Sequence, residues 1–366
     1  MEPARLLAIL ARTPGLMARH LIAAAGPSGA EPISAEFLPR LLAASLPRQT
    51  RVWLERHDER LIDADLRLIE ADRFRIVSCL DSAYPPTLIS WAAAPACLYV
   101  AGDPQVLGRP ALTIVGARQP SAAGRQTACD FAAELARAGL GISGGLAEGI
   151  DAAAQEGALA AGGHTIAVCT TGLDRVYPPQ HARLAARISA QGCLVSPFPP
   201  GAPPRRHHFP LRNRLLSALG TAVLLVEAAE GSGGFSIAAQ ARGLERRVFA
   251  VPGSIRDPLA QDCNRLIRAG ARLVQQSRDI LDDLNFVDNQ MLSDSSTPSP
   301  APASESSPLD NKYEMLLDAA GFEPVDIDVL ALRTGWSGHV VASMLLLLEL
   351  RGRIAPQPGG RFCRLS

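Results

Sequence analysis

The chain of 366 residues contains a single lysine, Lys312, so arginine supplies nearly all of its 36 basic side chains. A P-loop nucleotide-binding site needs a lysine in its glycine-rich loop, and the glycine-rich stretches of this chain have none. The seven cysteines contain no C-x-x-C pair, which argues against a zinc site and against a disulfide framework. We therefore expect a reducing compartment, no metal and no cofactor.

Long hydrophobic runs are also missing. The longest extends from Val340 to Leu348, far below the roughly 20 residues that span a membrane. The first residues, MEPARLLAIL, interrupt their apolar stretch with Glu2 and Arg5, which is not typical of a signal peptide. These features predict a cytoplasmic protein without a membrane partner.

The chain has no net charge, which by itself argues against nucleic acid as a partner. The charges are unevenly distributed, however, with 18 basic and 14 acidic residues in 111–285 but 6 and 10 in 286–366. Residues 175–226 contain no acid at all. Their arginines are Arg175, Arg183, Arg187, Arg205, Arg206, Arg212 and Arg214. This distribution predicts a local positive field in the middle of the chain.

Residues 111–287 alternate short apolar runs with segments of helix length. The candidate strands are LTIVG from Leu112, LGISG from Leu140, TIAVC from Thr165, CLVS from Cys193, AVLLVE from Ala222 and VFAVP from Val248. Apolar strands separated by helices predict a parallel sheet covered on both faces, a Rossmann-like doubly wound α/β domain. Ligands of such sheets bind at the carboxyl ends of the strands.

The flanking segments predict further domains. Residues 1–70 have helical periodicity, and 71–110 form a connecting segment that leads into the core. Residues 288–310, rich in Ser, Pro, Ala and acid, predict a disordered linker. Residues 311–366 contain three helical segments followed by a candidate wing, a pattern typical of a winged-helix domain.

The segment VGARQPSAAG from Val115 follows the first strand of this domain and leads into a helix, where Rossmann proteins bind phosphate. Arg118 can bind a phosphate through its forked guanidinium, and Ser121 can donate a hydrogen bond to it. Ala117 and Arg118 replace the glycines that a dinucleotide requires. The alternative is a tight turn in which Arg118 pairs with a surface acid.

The segment SGGLAEGID, which begins at Ser143 and Gly144, ends the second strand and enters another helix. Its glycines permit close approach of an anion to the backbone. The alternative is that they serve strand-to-helix packing and that Asp151 caps the helix.

The segment PPGAPPRRHHFPLRNR, at 199–214, carries the strongest signal for nucleic acid. Its prolines predict an extended, exposed loop that is free of helix until after Pro210. The loop offers phosphate contacts and, through Phe209, His207 and His208, faces on which unpaired bases stack. Its candidate phosphate ligands are Arg205, Arg206, Arg212 and Arg214. A structural loop with Phe209 in the core is the alternative.

A third glycine-rich stretch precedes a helix and is a candidate phosphate-binding loop, formed by Gly231, Ser232, Gly233 and Gly234. The helix lacks the carboxylates that hydrolysis needs, and no catalytic triad stands out, so we expect no enzymatic activity. Two alternatives stay open: a hydrolase of nucleotides or ribose phosphates, and a regulator that reads duplex DNA through the winged helix. The third C-terminal helix, VVASMLLLLEL, is too apolar for a DNA groove and favours a partner-binding role.

Taken together, these motifs resemble the DNA-processing protein A (DprA/Smf) family. The resemblance runs from about Tyr84 to Leu284 and rests on motifs in the family's order and spacing. They are YPPTL at Tyr84, VGARQPS at Val115, SGGLAEGID at Ser143, GLDRVYPP at Gly172, FPLRNRLLSAL at Phe209, VEA at Val226, SGG at Ser232, VFAVPG at Val248 and CNRLI at Cys263. Two departures from the family pattern, Gln155 for His and Asp262 for Gly, argue against a small-molecule role of the glycine-loop region.

The resemblance implies a protein that binds single-stranded DNA, protects incoming strands in natural transformation and loads the recombinase RecA onto them during recombination. It also implies a sterile-alpha-motif-like N-terminal domain, a C-terminal winged helix and a homodimer formed through the Rossmann domain. The positions that match the family's DNA-binding pocket are Arg118, Ser143, Gly144, Phe209, Arg212, Asn213 and Arg214.

Overall fold

The computed structural model describes residues 2–26, 37–286 and 311–365. The chain divides into two compact units. The larger comprises Met1–Arg118 and Ala128–Phe286, and the smaller comprises Gln119–Thr127 and Val287–Ser366. The predicted linker at 288–310 lies outside the described residues.

The larger unit begins with helices. Its described part up to residue 70 contains α1 (Pro3–Arg12), α2 (Ala18–Ala25), α3 (Phe37–Ala43), α4 (Arg48–Glu55) and α5 (Glu59–Glu70). Each helix buries its apolar side, and Leu6, Ile9, Leu21 and Leu41 are fully buried. The helical prediction for this region is confirmed, and the likeness to a sterile-alpha-motif domain stays a prediction.

The rest of the larger unit is built on one sheet. Its strands are β1 (Arg75–Ser78), β2 (Cys97–Gly102), β3 (Ala111–Gly116), β4 (Gly141–Gly144), β5 (Thr165–Val168), β6 (Cys193–Ser196), β7 (Ala222–Val226), β8 (Arg247–Ala250) and β9 (Arg272–Leu273). They are ordered β1-β2-β6-β5-β4-β3-β7-β8-β9. Strands β3 to β9 run parallel, and all six predicted strands are confirmed.

Helices cover both faces of this sheet. They are α6 (Pro86–Ile89), the part of α7 (Ala122–Arg137) that begins at Ala128, α8 (Ile150–Ala160), α9 (Ala182–Gln191), α10 (His208–Leu219), α11 (Gly233–Gly243), α12 (Gln261–Arg268) and α13 (Ser277–Asp283). Side chains of β7 alternate between two cores, since Leu224 packs in one hydrophobic cluster and Leu225 in another. Strands buried on both faces have the near-continuous apolar sequences seen here.

Two strands lie where the sequence predicted a connecting segment. β1 pairs antiparallel with β2, and β2 pairs antiparallel with β6, so the sheet is mixed rather than wholly parallel. The segment 71–110 is therefore part of the core. Antiparallel strands need no crossover helix, so the pattern that revealed the other strands is missing here.

The order of the strands reverses at β3. The chain proceeds from β3 to β4 on one side, whereas β7 lies on the other side, paired from Leu112↔Ala222 to Gly116↔Val226. The loops that leave the carboxyl ends of β3 and β7 therefore diverge, and a crevice opens between them. Such a topological switch point is where doubly wound sheets bind ligands.

The smaller unit has the winged-helix order. Its described C-terminal part contains α14 (Asn311–Ala320), β10 (Val325–Asp326), α15 (Ile327–Thr334), α16 (Gly338–Leu350), β11 (Ile354–Gln357) and β12 (Arg361–Arg364). The strands form a sheet in the order β10-β12-β11, and the side chain of Asp326 caps α15 by accepting from the N–H of Val329 at 2.9 Å. The predicted helices and wing are confirmed.

Within the described ranges, no single helix has the length and apolar composition needed to cross a membrane. By those two criteria alone, the pair α15 and α16 would pass as a bent span, with 108° between its helices.

Candidate functional site

One pocket occupies the switch-point crevice and a second adjoins it, and both are lined by Arg118, Ala147, Phe209 and Arg212. The aromatic pocket, of about 210 Å³, is completed by Gly145, Leu146, Glu148, Thr170, Tyr177, Pro178, Pro179 and Gln180. The glycine-loop pocket, of about 370 Å³, is completed by Val115, Gly116, Ala117, Asp151, Asn213, Ser232, Gly233, Gly234 and Ile237. The loops after β3, β4 and β7 and the helix α10 thus converge on one place.

Arg212 lines both pockets although it is only 5% exposed. Among the described residues, its Nε has no hydrogen-bond partner and no carboxylate forms an ion pair with its guanidinium. Burial lowers the pKa of Arg212, and the attraction of Asp151 offsets this only in part. A buried cation whose charge is only partly compensated is unfavourable, so an anion that enters the pockets gains a strong partner.

Glycines make room for this guanidinium and for the loops around it. A Cβ on Gly145 would lie 2.0 Å from Nη1 of Arg212, so a side chain there would displace the guanidinium. Gly149 has a φ of +84°, and a Cβ on it would lie 2.2 Å from the carbonyl oxygen of Ala117. The glycines after β4 therefore serve both loop packing and the placement of Arg212.

Asp151 ties the loops together. It is 4% exposed, and its Oδ2 accepts from the N–H of Gly145 at 2.8 Å. Burial raises the pKa of Asp151, while Arg212 and the backbone N–H groups of Gly145 and Gly116 oppose the rise. The expectation that Asp151 caps α8 is wrong: Gly149 holds the N-cap position, and the carboxylate is directed at the loops after β3 and β4.

Aromatic rings form the wall beside the cations. The guanidinium carbon of Arg118 lies 5.9 Å from the ring centre of Phe209, which in turn meets Tyr177 edge to face at 6.1 Å. Tyr177 is 40% exposed and Phe209 is partly buried, so both rings reach the pocket. Positive charge beside accessible rings is the combination that binds phosphates and unpaired bases.

Comparison with known proteins shows which family the chain belongs to. The family model described as DNA recombination-mediator protein A matches residues 75–285, and the DprA winged helix domain matches residues 298–360. The chain belongs to the DNA recombination-mediator protein A family. Protein Smf from Escherichia coli is 38% identical over 311 residues, which cover 84% of this chain and 78% of that protein.

Solved structures of the same family resemble the fold. DNA processing protein A from Streptococcus pneumoniae matches with a TM-score of 0.65 at 30% identity, covering 77% of this chain and 98% of that one. A structure of DNA processing protein A from Helicobacter pylori, described in terms of its single-stranded DNA binding mode, matches with a TM-score of 0.53 at 28% identity. That match covers 58% of this chain and 97% of the other.

The family motif FPLRNR lies on a helix in this chain, not on an extended loop. Helix α10 begins at His208, two residues before Pro210. Pro210 does not prevent this, because an N–H in the first turn of a helix has no partner within the helix and its absence costs nothing. The prediction of an exposed loop that is free of helix until after Pro210 is therefore wrong from His208 onward. The helix turns Phe209, Arg212 and Asn213 toward the pockets.

His208 does not offer a free face to a base. Its ring stacks on Phe198 with centres 3.9 Å apart, and its Nδ1–H donates to the carbonyl oxygen of Thr170 at 2.9 Å. Burial lowers the pKa of His208. The ring thus anchors the start of α10, and Phe209 is the residue of this pair that lines the pockets.

The other arginines of this segment lie outside the two pockets. Arg205 and Arg206 are exposed just before α10, and Arg214 is exposed on the helix itself. Each stays a candidate for contact with a longer strand that extends beyond the pockets.

The predicted roles of Ser143 and Gly144 need correction. Ser143 is fully buried, with its Oγ 2.7 Å from Oγ1 of Thr113 on the neighbouring strand, so its side chain has no surface for a ligand. Gly144 is also buried and lies next to Gln155. The residue of this turn that contacts the site is Gly145, one position further along the chain.

Ser121 lies just before α7, where its Oγ accepts from the N–H of Gly124 at 2.9 Å. This is a helix-capping contact in which the hydroxyl oxygen accepts, and accepting does not exclude donation by the same hydroxyl. A role in ligand binding stays a prediction.

Asp262 on α12 accepts hydrogen bonds from the third glycine-rich loop. This residue, where the family pattern has Gly, is 1% exposed and accepts from the N–H of Ser232 at 3.2 Å and from its hydroxyl at 3.3 Å. Of the predicted loop, Ser232, Gly233 and Gly234 line the glycine-loop pocket, whereas Gly231 is exposed beside it. A carboxylate of α12 held against this loop disfavours an anion there.

Sequence reasoning missed several residues of the aromatic pocket, namely Gly145, Glu148, Tyr177 and Gln180. All but Gln180 lie within the motifs SGGLAEGID and GLDRVYPP. The motifs therefore located the site but did not show which of their residues line it. Within the described part of the chain, no three His, Cys, Asp or Glu side chains are grouped so as to hold a metal ion.

Proposed function

We propose that this protein binds single-stranded DNA in the switch-point crevice and does so without catalysing a reaction. The observation that carries the proposal is Arg212: a guanidinium that is 5% exposed, lines both pockets and has no ion-pair partner among the described residues. A phosphate that reaches it gains charge-assisted hydrogen bonds in a site shielded from water.

The surroundings of Arg212 favour an unpaired strand over a duplex. Phe209 and Tyr177 offer ring faces and edges beside Arg118, and a base can stack on such rings only when it is unpaired. The Helicobacter pylori relative, whose description names a single-stranded DNA binding mode, agrees with this proposal. The carboxylates of Asp151 and Asp262 are engaged with backbone N–H groups, which favours binding over acid–base catalysis.

Fluorescence polarisation of a labelled oligothymidine across a salt series tests the proposal. Contacts to four phosphates, through Arg118, Arg212, Arg205 and Arg206, predict a log–log salt slope of about −3. Replacing Arg118→Ala and Arg212→Met together should weaken binding and bring the slope to about −1.5. The proposal fails if the strand does not bind, or if a duplex of the same length binds equally well.

Membership of the family also supports a wider role, which we propose as a whole: protection of incoming DNA and loading of RecA in natural transformation, by a cytoplasmic homodimer joined through the sheet domain. Sedimentation velocity over a range of concentrations tests the dimer, and a monomer at every concentration would remove it. Nucleation of RecA on strands coated with a single-strand-binding protein tests the loading. Unchanged nucleation in the presence of this protein would contradict that role.

A further inference from the structure

Glu148 is an acid in a pocket proposed to bind a polyanion. It lines the aromatic pocket together with Arg118 and Arg212, so its carboxylate repels the phosphates that these arginines attract. Its side chain is exposed, so burial in the core does not account for its place. Phosphate binding alone therefore leaves Glu148 unexplained.

Gln180 holds this carboxylate at the pocket wall. The Nε2 of Gln180 donates a hydrogen bond to Oε1 of Glu148, although the two residues come from different loops. In the described structure, Oε2 of Glu148 and Oε1 of Gln180 have no hydrogen-bond partner. The pair thus places two free acceptor oxygens on one wall of the pocket.

The rest of the pocket is built for a flat, apolar group. Tyr177 and Phe209 contribute rings, and Pro178 and Pro179 contribute flat apolar surfaces between the rings and Gln180. Cations, rings and acceptor oxygens in one pocket match the three parts of a nucleotide: its phosphate, the face of its base and the hydrogen-bonding edge of its base.

We propose that Glu148, positioned by Gln180, reads the edge of the bound base and favours cytosine over thymine. This inference rests on the proposed binding of single-stranded DNA. Cytosine presents its N4 amino group, a donor that carboxylates accept, whereas thymine presents the O4 acceptor at the same position. Because both are pyrimidines with similar stacking faces, the carboxylate discriminates between them through that one group.

The experiment compares labelled oligodeoxycytidine and oligothymidine of equal length by fluorescence polarisation, at mildly alkaline pH so that cytosine stays neutral. The wild-type protein should bind the cytidine strand about fivefold more tightly. In Glu148→Gln the ratio should fall to about one, because an amide can accept from cytosine or donate to thymine. Binding of the thymidine strand should become tighter, since a negative charge has left the pocket.

Glu156→Gln is the matched control. Glu156 is an exposed acid on α8 that does not line the pocket, so its replacement removes the same charge without touching the base. A general charge effect would change both strands equally and leave their ratio constant. Gln180→Met should lower the ratio as well, because the carboxylate loses its anchor.

The outcomes separate this inference from the function on which it rests. Equal binding of both strands by the wild-type protein, or an unchanged ratio in Glu148→Gln, overturns the role of Glu148 and leaves DNA binding in place. Failure of the wild-type protein to bind either strand overturns both.

Discussion

Arg12 and Arg212 are both buried arginines, and they differ in what faces them. The side chain of Arg12 is 8% exposed and makes a bidentate pair with the fully buried Asp65, at 2.6 Å through Nε and 2.7 Å through Nη2. Burial lowers the pKa of Arg12, but the hydrogen bonds and charge of Asp65 outweigh it, so the net shift is upward. The net shift of Arg212 is downward, because Asp151 only partly offsets burial.

The difference separates an arginine that holds the fold from one that is available to a ligand. Nη2 of Arg12 also donates to the carbonyl oxygen of Pro200 at 3.1 Å, and the N–H of Gly201, in the same peptide unit, donates to Asp174 at 2.8 Å. Arg12 thus holds the segment that leads into α10, with its charge already matched. Arg212 lies on that helix without a direct ion pair, and Asp151 compensates its charge only in part.

The largest expected effect is loss of stability in Arg12→Met. This change leaves the carboxylate of Asp65 buried without its cation, which should lower the free energy of unfolding by about 3–5 kcal/mol. Urea denaturation measures it. Adding Asp65→Leu removes the orphaned charge and should restore most of the loss. A loss below about 1 kcal/mol in Arg12→Met would show that the pair is not the structural element we describe.

Arg212→Met, the same substitution at the second arginine, should affect DNA binding more than stability. Arg212→Met breaks no direct ion pair and leaves Asp151 its hydrogen bond from Gly145, so the free energy of unfolding should fall by less than in Arg12→Met, by about 1–2 kcal/mol. Affinity for single-stranded DNA should fall about 30-fold, the effect of losing ~2 kcal/mol of charge-assisted hydrogen bonding. Polarisation with an oligothymidine measures it, with the exposed Arg60→Met on α5 as control. Equal affinity in both variants would remove Arg212 from the site.

Gly145→Ala sharpens the comparison without altering any charge. The added Cβ would lie 2.0 Å from Nη1 of Arg212 and should push this flexible guanidinium aside at little cost to the fold. Affinity for the single strand should fall about tenfold while thermal stability is kept, as polarisation and calorimetry would show. Gly243→Ala, where a Cβ meets nothing within 4 Å, is the control. A variant that unfolds instead would place Gly145 among the structural glycines.

Periodicity made much of the fold predictable. Apolar runs separated by helices revealed β3 to β8, because crossover connections leave a strong alternating pattern. β1 was not predicted, since it pairs antiparallel with its neighbour and does not belong to the alternation of parallel strands and crossover helices. Pairing between distant segments is a tertiary property that local patterns do not encode.

The sequence predicted several residues that form the site, but it did not predict which side chains are buried. Motifs pointed to Arg118, Phe209 and Arg212 as neighbours, and all three line both pockets. The same motifs suggested that Ser143 faces a ligand. In the structure its side chain is fully buried and hydrogen-bonds Thr113 on the neighbouring strand. Which face of a strand is buried depends on how the strand packs in the whole fold. A shift of one residue along the strand moves a side chain to the opposite face.

The smallest effect is expected where the arginines are fully solvated. Arg205→Ala with Arg206→Ala should weaken binding about threefold and reduce the salt slope by about 1.4, because each lost phosphate contact on a single strand contributes about 0.7. Arg60→Ala with Arg67→Ala, two exposed arginines on α5, is the matched control, with the same change in net charge. If the control changes the slope equally, net charge rather than position drives the effect. A local effect would instead mean that the strand extends from the buried Arg212 to the exposed residues just before α10. The buried arginine would then fix one phosphate, and the solvated pair would add weaker contacts to its neighbours.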